Sequence, residues 1–113
     1  MANPLLVRTA GTHAAVVELT GNITAETEES LMAAYTQASA TGARAIILNF
    51  ARVSYMNSGG IGLLVTLLVR INRHGQRLLT VGLSDHSRRI LTLTRLNEAI
   101  GVFDSEAEAL AAI

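Results

Sequence analysis

A nearly unbroken apolar run in the middle of the chain constrains the fold more than any other feature. It spans residues 45–50, and Asn49 is its one polar member. A strand of this composition is covered on both sides or lies at the centre of a sheet, as in parallel sheets that carry helices. Segments with strand and helix signals alternate around it. The sequence therefore predicts an α/β domain with a partly parallel sheet.

The predicted elements give the order β-β-α-β-α-β-α-β-α, with the last strand short. Besides 45–50, strands are predicted at residues 5–9, 14–20, 78–81 and 100–103. Gly21 and Asn22 are predicted to end the second strand, and residues 51–56 to be irregular. Helix N-caps are predicted at Thr24, at Asn57 or Ser58, at Asp85, and at Ser105 with Glu108 completing a capping box. We expect a small mixed sheet of four to five strands with about four helices packed on it.

The composition excludes much enzyme chemistry. The 113 residues are enough for one domain, residues 1–113, and they include no Cys, no Lys and only two Asp. Thiol catalysis, Cys-ligated zinc, a Schiff-base lysine and a Walker A lysine are therefore absent. None of the three His lies in a catalytic or metal-binding motif. We expect no catalytic residue, no metal and no cofactor.

The charge balance argues against nucleic acid as a direct partner. Nine Arg balance nine acidic residues, whereas a sequence-general binder of nucleic acid is normally basic. The densest Arg cluster is Arg70, Arg73 and Arg77. We interpret these residues as cations that cap the C-terminal end of a helix, in preference to a phosphate-binding patch. The longest uncharged apolar region, residues 55–69, is shorter than a membrane-spanning helix and opens with polar residues and glycines. With no signal-peptide pattern at the N-terminus, the sequence predicts a cytoplasmic protein without membrane insertion.

The segment from Asn57 to the following helix is the candidate functional site. Ser58 would lie at a helix N-terminus, where free N–H groups point outward. Gly59, Gly60 and Gly62 fall in the first turns, where each glycine costs about 1 kcal/mol relative to Ala. Glycine is favoured where another chain approaches the backbone closely. The sequence therefore predicts a binding surface at this turn.

The helix after this turn is apolar on nearly every side. Its predicted core stripe is Ile61, Leu64, Leu68 and Ile71. Four more apolar residues cover much of the remaining surface: Leu63, Val65, Leu67 and Val69. Such a helix is either buried or presents a face to a partner, and the sequence leaves both readings open.

The chain resembles STAS domains, the fold of the bacterial anti-sigma factor antagonists. The resemblance covers essentially the whole chain, and its most specific part is the turn of residues 56–62, Met-Asn-Ser-Gly-Gly-Ile-Gly. It implies a non-enzymatic signalling protein that captures an anti-sigma factor with serine-kinase activity and frees a sigma factor. It also implies that this kinase phosphorylates Ser58. The implied partner surface is Asn57, Gly59, Gly60, Ile61 and Leu63.

A phosphate on Ser58 would act on binding rather than on folding. It would add about −1.5 to −2 charges at a helix N-terminus, which tolerates an anion. A partner packed against the neighbouring apolar surface would instead face a desolvated dianion. The sequence departs from the family pattern where Asn57, Asn49 and Thr24 replace frequent acidic residues.

Other functions are compatible with the same residues. The chain could be a STAS scaffold subunit of a larger signalling complex without phosphorylation, or an accessory subunit bound to a membrane transporter. Binding of a small ligand or nucleotide at the glycine-rich helix start is a weaker option. The sequence leaves the oligomeric state open and is compatible with a homodimer.

Overall fold

The computed structural model describes residues 5–113 and confirms the predicted order of elements. The strands are β1 Leu6–Ala10, β2 Ala14–Ile23, β3 Ala45–Met56, β4 Arg77–Val81 and β5 Gly101–Phe103. The helices are α1 Glu28–Ser39, α2 Ser58–Arg73, α3 Asp85–Leu93 and α4 Glu106–Ala111, with short 3-10 turns at Ala25–Thr27 and Leu96–Glu98. The sheet has the order β1-β2-β3-β4-β5. Within residues 5–113, the β1–β2 pair is antiparallel and the other three pairs are parallel, so the mixed α/β architecture is confirmed.

Both faces of the sheet are covered, as the apolar run predicted. Helices α1, α2 and α3 bury one face, with side chains such as Leu31, Leu64 and Leu91 in the larger core. Helix α4 covers part of the other face, where Ala109 packs in the smaller core. Each residue from Ala45 to Leu48 is fully buried. None of the helices within residues 5–113 is long and apolar enough to cross a membrane.

Strands β2 and β3 extend beyond the ends predicted for them. They pair in parallel from Ala14↔Ala45 to Ile23↔Met56, with register shifts on either side of Thr20 and Gly21. Gly21 has φ +72° but lies within β2, so the strand end predicted at Gly21 and Asn22 is wrong. Residues 51–56, predicted to be irregular, belong to β3 and pair with this part of β2. Where the sequence predicted irregular structure, β2 and β3 remain paired through a β-bulge. This extension places Ile23 and Met56 directly beneath the start of α2.

The helix caps differ from the sequence expectation in three details. Ser84, and not Asp85, caps α3, because its extended backbone lets its hydroxyl accept a hydrogen bond from the Ser87 N–H at 3.1 Å. Thr24 caps the 3-10 turn that leads into α1 rather than α1 itself. Ser105 caps α4 by accepting from the Glu108 N–H, as predicted, but the Glu108 carboxylate accepts from the Asp104 N–H at 3.2 Å and not from Ser105, so the predicted capping box is not completed. The choice left open between Asn57 and Ser58 falls on Asn57.

Arg8 links the edge strand β1 to strand β2 and helix α4. Its guanidinium donates from Nε to Glu18 at 3.2 Å and from Nη1 to Glu106 at 2.8 Å. These bonds join β1, β2 and α4 across the face that α4 covers. The hydrogen bonds from Arg8 hold the pKa of Glu106 below its ordinary value of 4.5.

This ion pair predicts an acid-dependent contribution to stability. Because the folded-state pKa of Glu106 is lowered, the contribution is present above pH 4.5 and is lost as the pH falls through the folded-state value. Glu106→Gln should lower the unfolding free energy at pH 7 by about 0.2–1 kcal/mol. It should also reduce the difference between the unfolding free energy at pH 7 and that at pH values below about 4. Urea denaturation at several pH values measures this. Glu98→Gln, which breaks the local pair with Arg95, is the control, and an equal narrowing there would refute the assignment.

Candidate functional site

Asn57 organises the turn that joins β3 to α2. Its side-chain Oδ1 accepts a hydrogen bond from the Gly60 N–H at 3.0 Å, and its carbonyl accepts from the Ile61 N–H at 3.0 Å. Its own N–H donates to the Ile23 carbonyl at 3.2 Å. The cap is therefore bonded both to the helix it starts and to the end of β2. An amide performs this role as well as a carboxylate, but it adds no charge.

Ser58 is exposed and is the first residue of α2. Within residues 5–113, the N–H groups of Ser58 and Gly59 have no protein acceptor, since the cap satisfies only the next two. The first turn carries no acidic side chain. No carboxylate in the first turn of α2 therefore neutralises the positive end of the helix dipole. Two free N–H donors lie beside the Ser58 hydroxyl.

Gly59 and Gly60 have structural reasons to be glycine. A Cβ on Gly60 would lie 2.2 Å from the Ile23 carbonyl oxygen, and one on Gly59 would lie 2.9 Å from the Ala25 backbone nitrogen. The close approach inferred from the glycines is therefore made by this chain's own backbone. Gly60 is buried, so it does not lie on a surface that a partner could contact. Gly59 is half-buried beside the turn that precedes α1.

Gly62 differs from the other two glycines of the turn. It is exposed, and nothing lies within 4 Å of the position that its Cβ would occupy. Glycine here costs helix stability without relieving any contact within the described chain. Gly62 is therefore a stronger candidate for a partner contact than Gly60, although the sequence alone could not separate them.

The outward face of α2 is a narrow apolar stripe that starts at Ser58. Gly62, Val65 and Val69 follow Ser58 at intervals of four, three and four residues, which places all four on one side of the helix. Val65 is 41% exposed and Val69 is 45% exposed. We call Gly62, Val65 and Val69 the α2 stripe. The spacing was visible in the sequence, but the direction in which it faced was not.

The buried side of α2 also differs from the predicted stripe. It consists of Gly60, Leu63, Leu64, Leu67 and Ile71. Ile61 and Leu68, which were expected in the core, are half-buried at its margin. Leu63, expected to contact a partner, is 4% exposed and packs in the larger core. Of the predicted partner residues, Asn57, Gly59 and Ile61 therefore remain accessible in part.

The two other departures from the family pattern lie in different surroundings. Thr24 belongs to the turn that contacts Gly59 through Ala25, and this turn carries the exposed carboxylate of Glu26. Asn49 lies in the sheet, where its Oδ1 accepts from the Ala51 N–H at 2.9 Å and faces Gly82. Thr24 is thus a neighbour of the candidate site. Asn49 shapes the point where β3 leaves β4.

Comparison with known proteins gives consistent matches over nearly the whole chain. A family model described as STAS domain matches residues 4–109. An anti-sigma-B factor antagonist of Staphylococcus aureus is 33% identical over 86 residues, which is 76% of this chain and 80% of that protein. A solved structure of an anti-sigma factor antagonist from Mycobacterium paratuberculosis has a TM-score of 0.81 at 21% identity, covering 100% of this chain and 98% of that one.

A further structural relative has been solved in two chemical states. The Bacillus cell fate determinant SpoIIAA in its phosphorylated form has a TM-score of 0.71 at 23% identity, covering 96% of this chain and 97% of that one. The anti-sigma factor antagonist SpoIIAA in its unphosphorylated form also has a TM-score of 0.71, at 21% identity, covering 96% and 94%. At these identities the structures establish the shared fold.

The glycines of the turn give a matched pair of variants. Gly60→Ala should lower the unfolding free energy by about 1–3 kcal/mol or more, because the new methyl group collides with a backbone carbonyl that cannot move away. Gly62→Ala should raise it by up to about 1 kcal/mol, because Ala favours the helix and meets no neighbour. Chemical denaturation of both variants measures the difference. Equal effects would contradict the packing described for the start of α2.

Proposed function

The chain belongs to the STAS domain family, and from that premise we propose that it is an anti-sigma factor antagonist whose binding is controlled by phosphorylation of Ser58. In the unphosphorylated form it binds an anti-sigma factor with serine-kinase activity and so releases a sigma factor. The observation that carries the proposal is the position of Ser58, exposed at the N-terminus of α2 and in line with the α2 stripe. The chain itself acts as a binding protein and a phosphorylation substrate.

The relatives support this assignment at two levels. The Staphylococcus aureus relative of 33% identity is named an anti-sigma-B factor antagonist. The fold of this chain matches the phosphorylated and unphosphorylated forms of SpoIIAA with the same TM-score. A fold of this kind is therefore compatible with both states.

Phosphorylation would leave this fold intact for local reasons. The kinase would transfer the γ-phosphoryl group of ATP to the Ser58 oxygen, with loss of the hydroxyl proton and release of ADP. The added dianion would then lie beside the free N–H groups of Ser58 and Gly59, at a helix end that has no carboxylate of its own in its first turn. Anions at such positions stabilise a helix by about 0.3–1 kcal/mol. The capping bonds of Asn57 are not needed for this and remain in place.

The same phosphate would oppose docking of a partner. The α2 stripe offers apolar contact and a flat backbone at Gly62, and a partner that covered it would also enclose Ser58. Burying about −1.5 to −2 charges without a matching cation is strongly unfavourable. Binding would therefore be lost while the unbound protein stays folded.

Glu26 is a candidate substitute for the acidic residue that Asn57 replaces. Its carboxylate is exposed on the turn whose first residue, Ala25, lies against Gly59. A basic side chain of the kinase could be oriented from this turn instead of from the residue before Ser58.

Incubation with the cognate kinase and ATP tests the phosphorylation site. We expect one phosphate on the wild-type chain and none on Ser58→Ala, read by intact-mass and peptide mass spectrometry. Ser54→Ala, which removes a second exposed serine close by on β3, is the matched control and should be phosphorylated like the wild type. Phosphate on Ser58→Ala, or loss of phosphate in Ser54→Ala, would refute Ser58 as the acceptor.

The α2 stripe predicts a second, separate effect. Val69→Ser removes an exposed apolar side chain about 16 Å along the helix from Ser58 and should weaken binding of the anti-sigma factor about tenfold. Leu93→Ser removes an even more exposed apolar side chain, 76% accessible, from α3 and should leave the affinity unchanged. Calorimetric titration of the unphosphorylated variants provides the comparison. Equal affinities for the two variants would show that the partner does not use this face.

A further inference from the structure

An open cavity of about 470 Å³ lies at the opposite end of α2 from Ser58. The C-terminal ends of α1 and α2 form it. Its lining residues are Tyr35, Thr36, Ser39, Ala40, Arg70, Arg73 and His74. No carboxylate is among them.

Two of the lining residues are cations without a partner of opposite charge. In the described part of the chain, no Asp or Glu oxygen lies within 4.0 Å of the guanidinium of Arg70 or Arg73. Arg8, Arg88 and Arg95, by contrast, each form an ion pair. The cavity therefore carries a net positive charge that the protein does not balance locally.

These arginines are not required to cap α2. The carbonyl of Arg70 accepts from the His74 N–H at 3.2 Å, and that of Ile71 accepts from the Gln76 N–H at 3.0 Å. The carbonyl of Asn72 accepts from the Gly75 N–H at 3.1 Å. Arg70 and Arg73 lie in the last turn of α2, as the sequence predicted, where their charges suit the helix dipole. Because backbone groups make these bonds, the guanidinium groups are not engaged in them.

A hydrogen-bond network beneath the cavity fixes which groups remain as donors. Tyr35 donates its hydroxyl proton to Gln76 Oε1 at 2.7 Å, so Tyr35 can only accept from His74 Nδ1, 3.2 Å away. His74 Nδ1 also lies 2.8 Å from the Arg70 carbonyl, which is an acceptor only. Nδ1 therefore carries a hydrogen, and Nε2 is the ring nitrogen left without a partner in the described chain.

The same network orients Ser39. Gln76 Nε2 donates to Ser39 Oγ at 3.1 Å and to the Ala43 carbonyl at 2.9 Å. Because Ser39 accepts this bond, its own hydroxyl proton remains available to donate. The half-buried hydroxyl of Ser39 and the two guanidinium groups are thus all donors, and Gln76, which positions Ser39, is itself bonded to Tyr35 and Ala43.

We propose that this cavity binds the phosphoryl group of a small phosphorylated molecule. Guanidinium groups match the geometry of phosphate oxygens, and a neighbouring hydroxyl donor completes such a site. The volume exceeds that of a single phosphoryl group, so an attached group or a second phosphoryl group fits. Arg73 lies about 22 Å along the helix axis from Ser58, which makes this site separate from the phosphorylation site.

Calorimetric titration of the full chain with pyrophosphate, at constant ionic strength, tests the proposal. We expect saturable one-to-one binding, weakened at least tenfold by Arg73→Gln and unchanged by Arg89→Gln, which removes an exposed arginine of α3. Ser58→Ala should bind like the wild type, so failure of the phosphorylation hypothesis would leave this result intact. Thermal unfolding of Arg73→Gln checks that the variant is folded, and Arg70→Gln replaces it if it is not.

Amide chemical shifts locate the bound ligand, and further titrations show which class of phosphate binds. Shifts should concentrate at residues 36–40 and 70–76 and not at 57–62. Titration with orthophosphate and with glucose 6-phosphate shows whether free phosphate or a phosphate monoester binds more tightly, and either result supports the site. Absence of saturable binding by all three probes, equal weakening in Arg89→Gln, or shifts confined to 57–62 would overturn it.

Discussion

The fold and its candidate site depend on one close contact between the end of β2 and the start of α2. Gly60 approaches the Ile23 carbonyl so closely that even a methyl group would lie 2.2 Å from the oxygen. The same carbonyl accepts the Asn57 N–H at 3.2 Å. Ile23 therefore determines both where the helix begins and how near it lies to the sheet.

This contact explains why Ser58 is exposed. With Gly60 turned inward, Leu64 and Ile71 fall on the buried side of α2, and Ser58, Gly62 and Val69 fall on the outer side. The Ser58 hydroxyl and the α2 stripe therefore lie on the same surface of the helix. The position of Ser58, the proposed phosphate acceptor, is thus a consequence of helix packing, and a modification there would alter the surface without breaking the contact that holds the helix.

The sequence predicted the order of elements because the strongest local signals agreed with one another. The apolar run at 45–50 and the Ser105 cap both lie where they were expected. It failed at residues 51–56, because the paired ends of β2 and β3 are partly exposed and bulged and lack a period of two. A register shift depends on the partner strand, which local patterns do not reveal.

The sequence predicted where the candidate site lies in the chain, but not which of its residues are exposed. The turn at Asn57 and Ser58 was identified correctly as a helix start. Its glycines were interpreted together, yet Gly60 is required by packing and Gly62 is not. Leu63 was placed on the wrong side of α2 because a helix that is apolar on nearly every side does not show which face is buried. Only tertiary contacts separate these cases.

The affinity of the fully phosphorylated protein for its anti-sigma factor tests the central claim most directly. Titration before and after phosphorylation, with thermal unfolding of both forms, measures binding and folding in the same preparation. The account predicts at least a tenfold loss of affinity, equivalent to about 1.4 kcal/mol, with an unfolding temperature that is unchanged or slightly raised. Equal affinities, or a loss of affinity that accompanies unfolding, would contradict a switch that acts on binding alone.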